Sequence, residues 1–119
     1  MIDPWPSELR LGRDRTSLTV VFEGDDAPVI LSAEYLRVES PSAEVKGHGP
    51  GQEQLVWGKR NVAILRLEPV GNYATRIIFD DGHSTGLYTW SYLAKLGREQ
   101  PAIWKAYLAK LNAEGKARG

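Results

Sequence analysis

The chain has 119 residues, enough for one domain whose hydrophobic core folds without help from metals or disulfides. Its 15 basic and 15 acidic residues cancel, so the total charge does not favour nucleic acid or an acidic membrane surface as a partner. Cysteine is absent, which excludes disulfides, thiol nucleophiles and thiolate metal ligands within these residues.

The first predicted elements are a hairpin and a short helix. We expect residues 1–13 to be an N-terminal extension of a domain that spans residues 14–98. Apolar and β-branched runs on either side of Gly24 predict a hairpin over about 18–31. Ser32 is a suitable N-cap, and Glu34 falls in the first turn of a helix predicted over 33–38.

A long loop separates this region from the next strands. Residues 39–60 are rich in glycine and proline and have little apolar spacing. Loops of more than ~12 residues are commonly functional, so a site near residues 39–54 is one interpretation. A simple connector is the other interpretation, and whether the loop is ordered stays open.

The second half predicts further strands followed by helices. A hairpin is expected over about 62–79, turned by Gly71 and Asn72, and a strand over 83–88 follows a tight turn. Thr89 is a candidate cap for a helix over 90–96, and a C-terminal helix is predicted over 101–113, within a 99–114 segment. Residues 115–119 are small and polar, and we expect a disordered tail. The fold class is therefore α+β, a single domain with a twisted, mainly antiparallel sheet packed against helices.

The candidate chemistry centres on His83, which lies in the stretch "DDGHSTGLYTW". His48 is the other histidine, and a metal site would need oxygen ligands from Asp80, Asp81, Glu39 or Glu44, with no recognisable spacing. A hydrogen-bonding role for His83 is therefore favoured over a metal role. The paired aspartates are interpreted as turn formers rather than as a catalytic acid and base.

Aromatic residues supply the candidate binding surface. Large aromatics on a small domain often mark an interface when they are exposed, and Trp57 beside the long loop is the best candidate. Possible binding positions also include His48, His83, Tyr88 and Trp90, and no catalytic residue is predicted. Lysines near the ends of the C-terminal helices are attributed to the helix dipole rather than to nucleic-acid binding.

Two segments carry a resemblance to a known family. The order "LSAEYLRVESPSAE", a long loop, then "VGNYATRIIFDDGHSTGLYTWSYL", with Asp-Gly-His followed by Gly-x-Tyr-x-Trp, resembles the N-terminal domain of gamma-butyrobetaine hydroxylase and its small stand-alone bacterial relatives. The likeness covers about residues 14–98. In the hydroxylase this domain precedes an iron-dependent oxygenase domain, and similar modules accompany proteins of iron–sulfur cluster delivery.

The resemblance also implies a metal site that this chain has altered. Zinc-binding members hold the ion with a Cys-Pro-Cys-x-x-Cys stretch and the Asp-Gly-His histidine, and the corresponding positions here are Ser40, Ser42, Val45 and His83. A hydroxyl is a poor zinc ligand and valine is none, so we expect no metal and no other cofactor. Ser40 or Ser42, or a nearby backbone carbonyl, is expected to hydrogen-bond His83 instead.

Three functional hypotheses remain open from the sequence. The first is a non-catalytic binding or adapter module with a protein partner. The second is an accessory protein that docks onto iron–sulfur or iron-oxygenase systems, and the third is a small-molecule-binding or catalytic domain centred on His83. With no apolar run of ~18 residues and no signal-like N-terminus, we expect a soluble, cytoplasmic protein without membrane contact, and a monomer is favoured.

Overall fold

A computed structural model describes residues 5–25, 27–42 and 55–119 of the chain. Within these residues the first sheet is antiparallel, with β1 beside β2 and β2 beside β3. Helix α1 follows β3 directly, capped by the Ser32 hydroxyl, which accepts from the Tyr35 N–H at 3.0 Å. The elements are β1 (Pro6–Leu11), β2 (Ser17–Phe22), β3 (Val29–Ser32) and α1 (Ala33–Val38).

The second antiparallel sheet is built from the later strands in the order β4, β5, β6. Gly71, with φ +54°, turns the chain between β4 and β5. The Thr89 hydroxyl caps the next helix by accepting from the Tyr92 N–H at 3.1 Å. The elements are β4 (Ile64–Val70), β5 (Ala74–Phe79), β6 (Leu87–Thr89), α2 (Trp90–Arg98) and α3 (Gln100–Ala113).

The main core lies where the two sheets meet α1 and α2. Alternate residues of β2 and β5 point inward, as the period of two in a strand requires, and they meet the buried faces of both helices. A smaller cluster joins the end of α1 to α3 through Val38, Tyr107 and Leu111. The fully buried large side chains are Leu18, Val20, Leu31, Tyr35, Leu36, Ile64, Thr75, Ile77, Phe79, Tyr88, Leu93 and Leu96.

The predicted α+β class is confirmed, and the bounds of α1 match the prediction. The strands form two three-stranded sheets rather than one, because the backbone links between them are isolated bonds, such as that from the Ile64 N–H to the Arg15 carbonyl at 2.8 Å. Residues 6–11, predicted to lie in an extension, form an edge strand in which Leu9 and Leu11 pack on the core. No helix in the described ranges is long and apolar enough to cross a membrane.

Residues 115–119, expected to be a disordered tail, are held against residues 58–60. The Gly58 N–H donates to the Ala117 carbonyl at 3.0 Å, and the Arg60 N–H donates to the Arg118 carbonyl at 2.8 Å. Arg118 also forms an ion pair with Glu34 on α1. The prediction of disorder rested on local polar composition, whereas these contacts come from residues far away in the sequence.

Candidate functional site

The turn after β5 places His83 in the interior. Gly82 adopts φ +92°, a left-handed conformation that favours glycine, and the Phe79 N–H donates to the His83 carbonyl at 3.0 Å. The Asp81 carboxylate accepts from the His83 N–H at 3.0 Å, which fixes the backbone just beyond the turn. Only 6% of the His83 surface is exposed, so the imidazole points away from solvent.

The loop after α1 meets His83 at this point. Ser40 Oγ lies 2.8 Å from His83 Nε2, and Ser40 is fully buried. The same hydroxyl oxygen accepts from the Ser42 N–H at 3.3 Å. The predicted hydrogen bond between His83 and one of these serines is confirmed, with Ser40 as the partner. This pair joins two segments that are 43 residues apart in the sequence.

Gly86 allows the loop to approach so closely. A Cβ atom at this position would lie 2.5 Å from Ser40 Oγ and 3.3 Å from Pro41 Cδ. It would also lie 3.2 Å from the Tyr88 ring. The glycine of the Gly-x-Tyr-x-Trp pattern is therefore required by packing against the Ser40 loop, not by an unusual backbone angle.

A charged network covers the outer side of the turn. Asp81 Oδ2 is 2.7 Å from Arg37 Nε and 2.6 Å from Lys59 Nζ. Burial raises the pKa of Asp81, but hydrogen bonds from Lys59, the His83 N–H and Arg37 outweigh that effect and lower it to about 2. Asp81 therefore stays ionised at neutral pH and ties α1 to the hairpin and to residue 59.

The aromatic residues after His83 donate side-chain hydrogen bonds to backbone carbonyls elsewhere in the domain. Tyr88 is fully buried and its hydroxyl donates to the Leu36 carbonyl, which places it in the core rather than on a binding surface. Trp90 is half-buried, and its Nε1–H donates to the Asn72 carbonyl at 2.9 Å. Burial, followed by the nearby Glu39 charge, raises the pKa of Tyr92, whose hydroxyl donates to the Glu39 carbonyl.

The residues that correspond to the zinc ligands of the resembling family do not form a zinc-binding set. Ser40 supplies a neutral hydroxyl that is already bonded to His83, and Ser42 supplies another, which is buried and has no hydrogen-bond partner among the residues that the structure describes. Val45 and His48 lie outside the described residues. Across residues 5–25, 27–42 and 55–119, no group of three or more His, Asp or Glu side chains is arranged to hold a metal ion.

Trp57 is an exposed residue that lies close to the C-terminal segment. Its side chain is 52% exposed, and Lys116 Nζ lies 5.0 Å from the ring centroid. The backbone of Val56, the residue before Trp57, is held by a hydrogen bond from α3, because the Tyr107 hydroxyl donates to the Val56 carbonyl at 2.7 Å. Trp57 is therefore an exposed residue that follows a restrained backbone position.

Sequence reasoning missed the charged partners of these sites. Arg37 and Lys59 reach Asp81 from segments that no local pattern connects, and the pairing of Glu34 with Arg118 spans 84 residues. Glu34 was assigned only to the dipole of α1. The one available signal was its place among the mainly apolar residues of α1, where a buried carboxylate needs a cationic partner.

Together, the two sheets and the buried His83–Ser40 pair define a small α+β domain in which a histidine just after a hairpin turn fastens the loop that follows the first helix. Residues 9–94 match the family model described as gamma-butyrobetaine hydroxylase-like, N-terminal, and the chain belongs to that family. The family predicted from the two quoted segments is thus confirmed. No curated protein matches the chain significantly.

Solved structures of similar chains support the fold. One NMR solution structure is 44% identical, with a TM-score of 0.84 and coverage of 98% of this chain and 91% of the other. A second NMR structure is 46% identical, with a TM-score of 0.81 and coverage of 97% and 85%. A crystal structure of a protein with unknown function, of the DUF971 family from Acidithiobacillus ferrooxidans, is 37% identical, with a TM-score of 0.64 and coverage of 77% and 91%.

Proposed function

We propose that this chain is a non-catalytic binding module that contacts a protein partner through the surface around Trp57. The observation that carries the proposal is that Trp57 is half exposed while the backbone just before it is held by the hydrogen bond from Tyr107 to Val56. An exposed tryptophan whose backbone is already ordered loses little conformational freedom on binding, and such residues are typical interface anchors. The proposed module is a cytoplasmic monomer without a cofactor.

The state of His83 supports a structural role over a catalytic one. A general base needs access to the proton that it removes, whereas His83 is buried and its Nε2 is engaged by Ser40. Asp81, the nearest carboxylate along the chain, is occupied by two cations and by the His83 N–H. The His83–Ser40 pair in this proposal is a metal-free clamp on the loop after α1.

The balanced charge supports a protein partner over a nucleic acid. Basic and acidic residues are equal in number, and basic side chains such as Arg66 and Arg76 lie beside Glu68 rather than forming an unpaired stripe. The alternative of docking onto iron–sulfur or iron-oxygenase systems shares this surface. It differs only in the identity of the partner.

The test compares two aromatic substitutions of equal exposure. Affinity capture from cell extract, followed by titration with the purified captured protein, is carried out with the wild type, Trp57→Ala and Tyr73→Ala. Tyr73 is also 52% exposed but lies at the turn between β4 and β5, so it serves as the control. We expect Trp57→Ala to weaken binding by at least about tenfold and Tyr73→Ala to leave it unchanged.

Two results would contradict the proposal. Equal losses for the Trp57 and Tyr73 variants would show that exposed aromatic area alone matters, not the Trp57 surface. A His83→Ala protein that keeps its free energy of unfolding and its partner, yet loses its cellular function, would favour the small-molecule or catalytic hypothesis centred on His83.

A further inference from the structure

Residues 115–119, here named the strap, pass beside Trp57 and cover part of α1 and α3. After α3 the chain turns at Gly115, with φ +67°, and runs along residues 58–60 through the two backbone hydrogen bonds already described. Lys116 lies over the Trp57 ring at 5.0 Å. The Arg118 guanidinium lies over the Trp104 ring at 5.4 Å. The strap therefore contacts Trp57 and Trp104 through its two basic side chains and residues 58–60 through its backbone.

Arg118 fills a polar pocket at the centre of this contact. Its Nε and Nη2 atoms donate to the two Glu34 carboxylate oxygens at 2.9 and 2.7 Å, a bidentate arrangement. With Arg118 in place, Glu34 is 6% exposed. The Glu34 carboxylate and the Trp104 ring, here named the Glu34–Trp104 pocket, together offer the charged and aromatic contacts that suit a planar guanidinium.

The strap is held less firmly than the pocket that receives it. Glu34 lies on α1, and Trp104 packs against the core through an edge-on contact with Tyr35, whose ring centroid is 6.0 Å away. By contrast, the strap consists of Gly-Lys-Ala-Arg-Gly, places no apolar side chain in either core cluster, and is exposed at most positions. Opening the strap therefore leaves both core clusters intact, and its cost comes mainly from breaking the Arg118–Glu34 pair, which an incoming arginine would form again.

We propose that the pocket is a docking site for an extended basic segment of a partner protein, in which an arginine enters the Glu34–Trp104 pocket in place of Arg118. The strap shows the chemistry that the pocket accepts: an arginine with a lysine two residues before it, and backbone carbonyls that face the Gly58 and Arg60 N–H groups. This inference rests on the proposed binding function and adds the chemistry of the partner to the Trp57 surface.

The test uses the full chain and a synthetic peptide with the sequence of residues 112–119. Binding is followed by NMR through the indole N–H signals of Trp57 and Trp104. In the wild type the strap competes at a high effective concentration, so the peptide binds weakly. We expect Arg118→Gln to bind the peptide at least about tenfold more tightly than the wild type does. Arg98→Gln, which removes an exposed arginine on α2, serves as the control and should behave as the wild type.

Specificity is tested with a peptide that carries glutamine at the position of Arg118. We expect this peptide to lose at least about tenfold in affinity for the Arg118→Gln protein, because the bidentate charge-assisted pair is gone. Equal affinity of the two peptides would overturn the proposal. No peptide binding to folded Arg118→Gln would also overturn it, and the Trp57 proposal would then stand or fall separately on the capture experiment.

Hydrogen exchange on the wild type tests the opening of the strap without using the Arg118→Gln variant, so the result does not depend on whether that variant folds. The Gly58 and Arg60 amides should exchange faster than the β2 and β5 ladder amides, since strap opening exposes them without global unfolding. Exchange of these two amides only at the global rate would refute an opening strap. A dimer that forms at high concentration by exchanging straps would make a second copy, rather than another protein, the occupant, and would overturn the proposal in this form.

Discussion

The contact between Gly86 and Ser40 allows a sharp test of the His83 clamp. Ser40→Ala removes the hydrogen bond between Ser40 Oγ and the buried His83 Nε2, and one such bond contributes about 0.5–1.5 kcal/mol to the free energy of unfolding. Gly86→Ala places a Cβ atom 2.5 Å from Ser40 Oγ, and overpacking of this kind costs about 1–3 kcal/mol. Each single substitution is therefore expected to destabilise the domain.

The double variant should be more stable than the two single losses predict. Removing Ser40 Oγ removes the shortest contact of the new methyl group, and the remaining neighbours at 3.2 and 3.3 Å need to shift by only a few tenths of an ångström. We expect a favourable coupling of about 0.5–2 kcal/mol. Urea unfolding, followed by far-UV circular dichroism and tryptophan fluorescence, measures the free energy of unfolding of the wild type, the two single variants and the double variant. These four proteins form a double-mutant cycle.

Gly12 provides the matched control for this cycle. A Cβ at Gly12 would lie 2.5 Å from Ser17 Oγ, the same distance from the same kind of atom, but in the first sheet. Gly12→Ala combined with Ser40→Ala should be additive, since the two sites share no contact. If the Gly86→Ala and Ser40→Ala losses also add without coupling, the close approach of Ser40 to Gly86 is refuted, and with it the clamp geometry.

Two further predictions concern charge and metal. Asp81 has a folded pKa of about 2 against an ordinary value of 3.8, so its stabilising contribution is present above pH 4 and is lost as the pH falls towards 2. Asp81→Asn should therefore cost about 1–2 kcal/mol at neutral pH, allowing for solvent screening, and the loss should disappear near pH 2. An unchanged loss at acid pH would contradict the ionic role. Elemental analysis of the purified wild type should find no stoichiometric zinc or iron, and one mole of either per mole of chain would refute a metal-free site.

The fold was predictable where local chemistry decides the structure. The Ser32 cap, the Gly71 turn and the alternation along β5 each act over a few residues, so the sequence predicted them well. Strand β1 was not predicted, because an edge strand with mixed charges has little periodic signal. The division into two sheets also depends on long-range backbone pairing, which no short pattern determines.

The candidate site was predictable in part. The bond between Ser40 and His83 followed from the family resemblance, which placed the two segments together before any geometry was known. The positions of Arg37, Lys59 and Arg118 did not follow, because ion pairs between distant segments leave no spacing in the sequence. The sequence likewise did not determine that Tyr88 is buried and Trp57 is exposed. Both are large aromatics beside glycine-rich turns, and only the tertiary fold distinguishes them.

Loss of a zinc ion would leave the loop after α1 in need of other restraints. A structural zinc contributes about 10–16 kcal/mol in small domains, whereas one hydrogen bond contributes about 0.5–1.5 kcal/mol, so the His83–Ser40 pair alone cannot replace it. Three tyrosine hydroxyls supply further restraint by joining α1 or its C-terminal end to the second half of the domain; they belong to Tyr35, Tyr88 and Tyr92. Two of them donate to the carbonyls of Leu36 and Glu39, just before Ser40. The loop is therefore already held where it leaves the helix, and the His83–Ser40 bond needs only to fix its next turn.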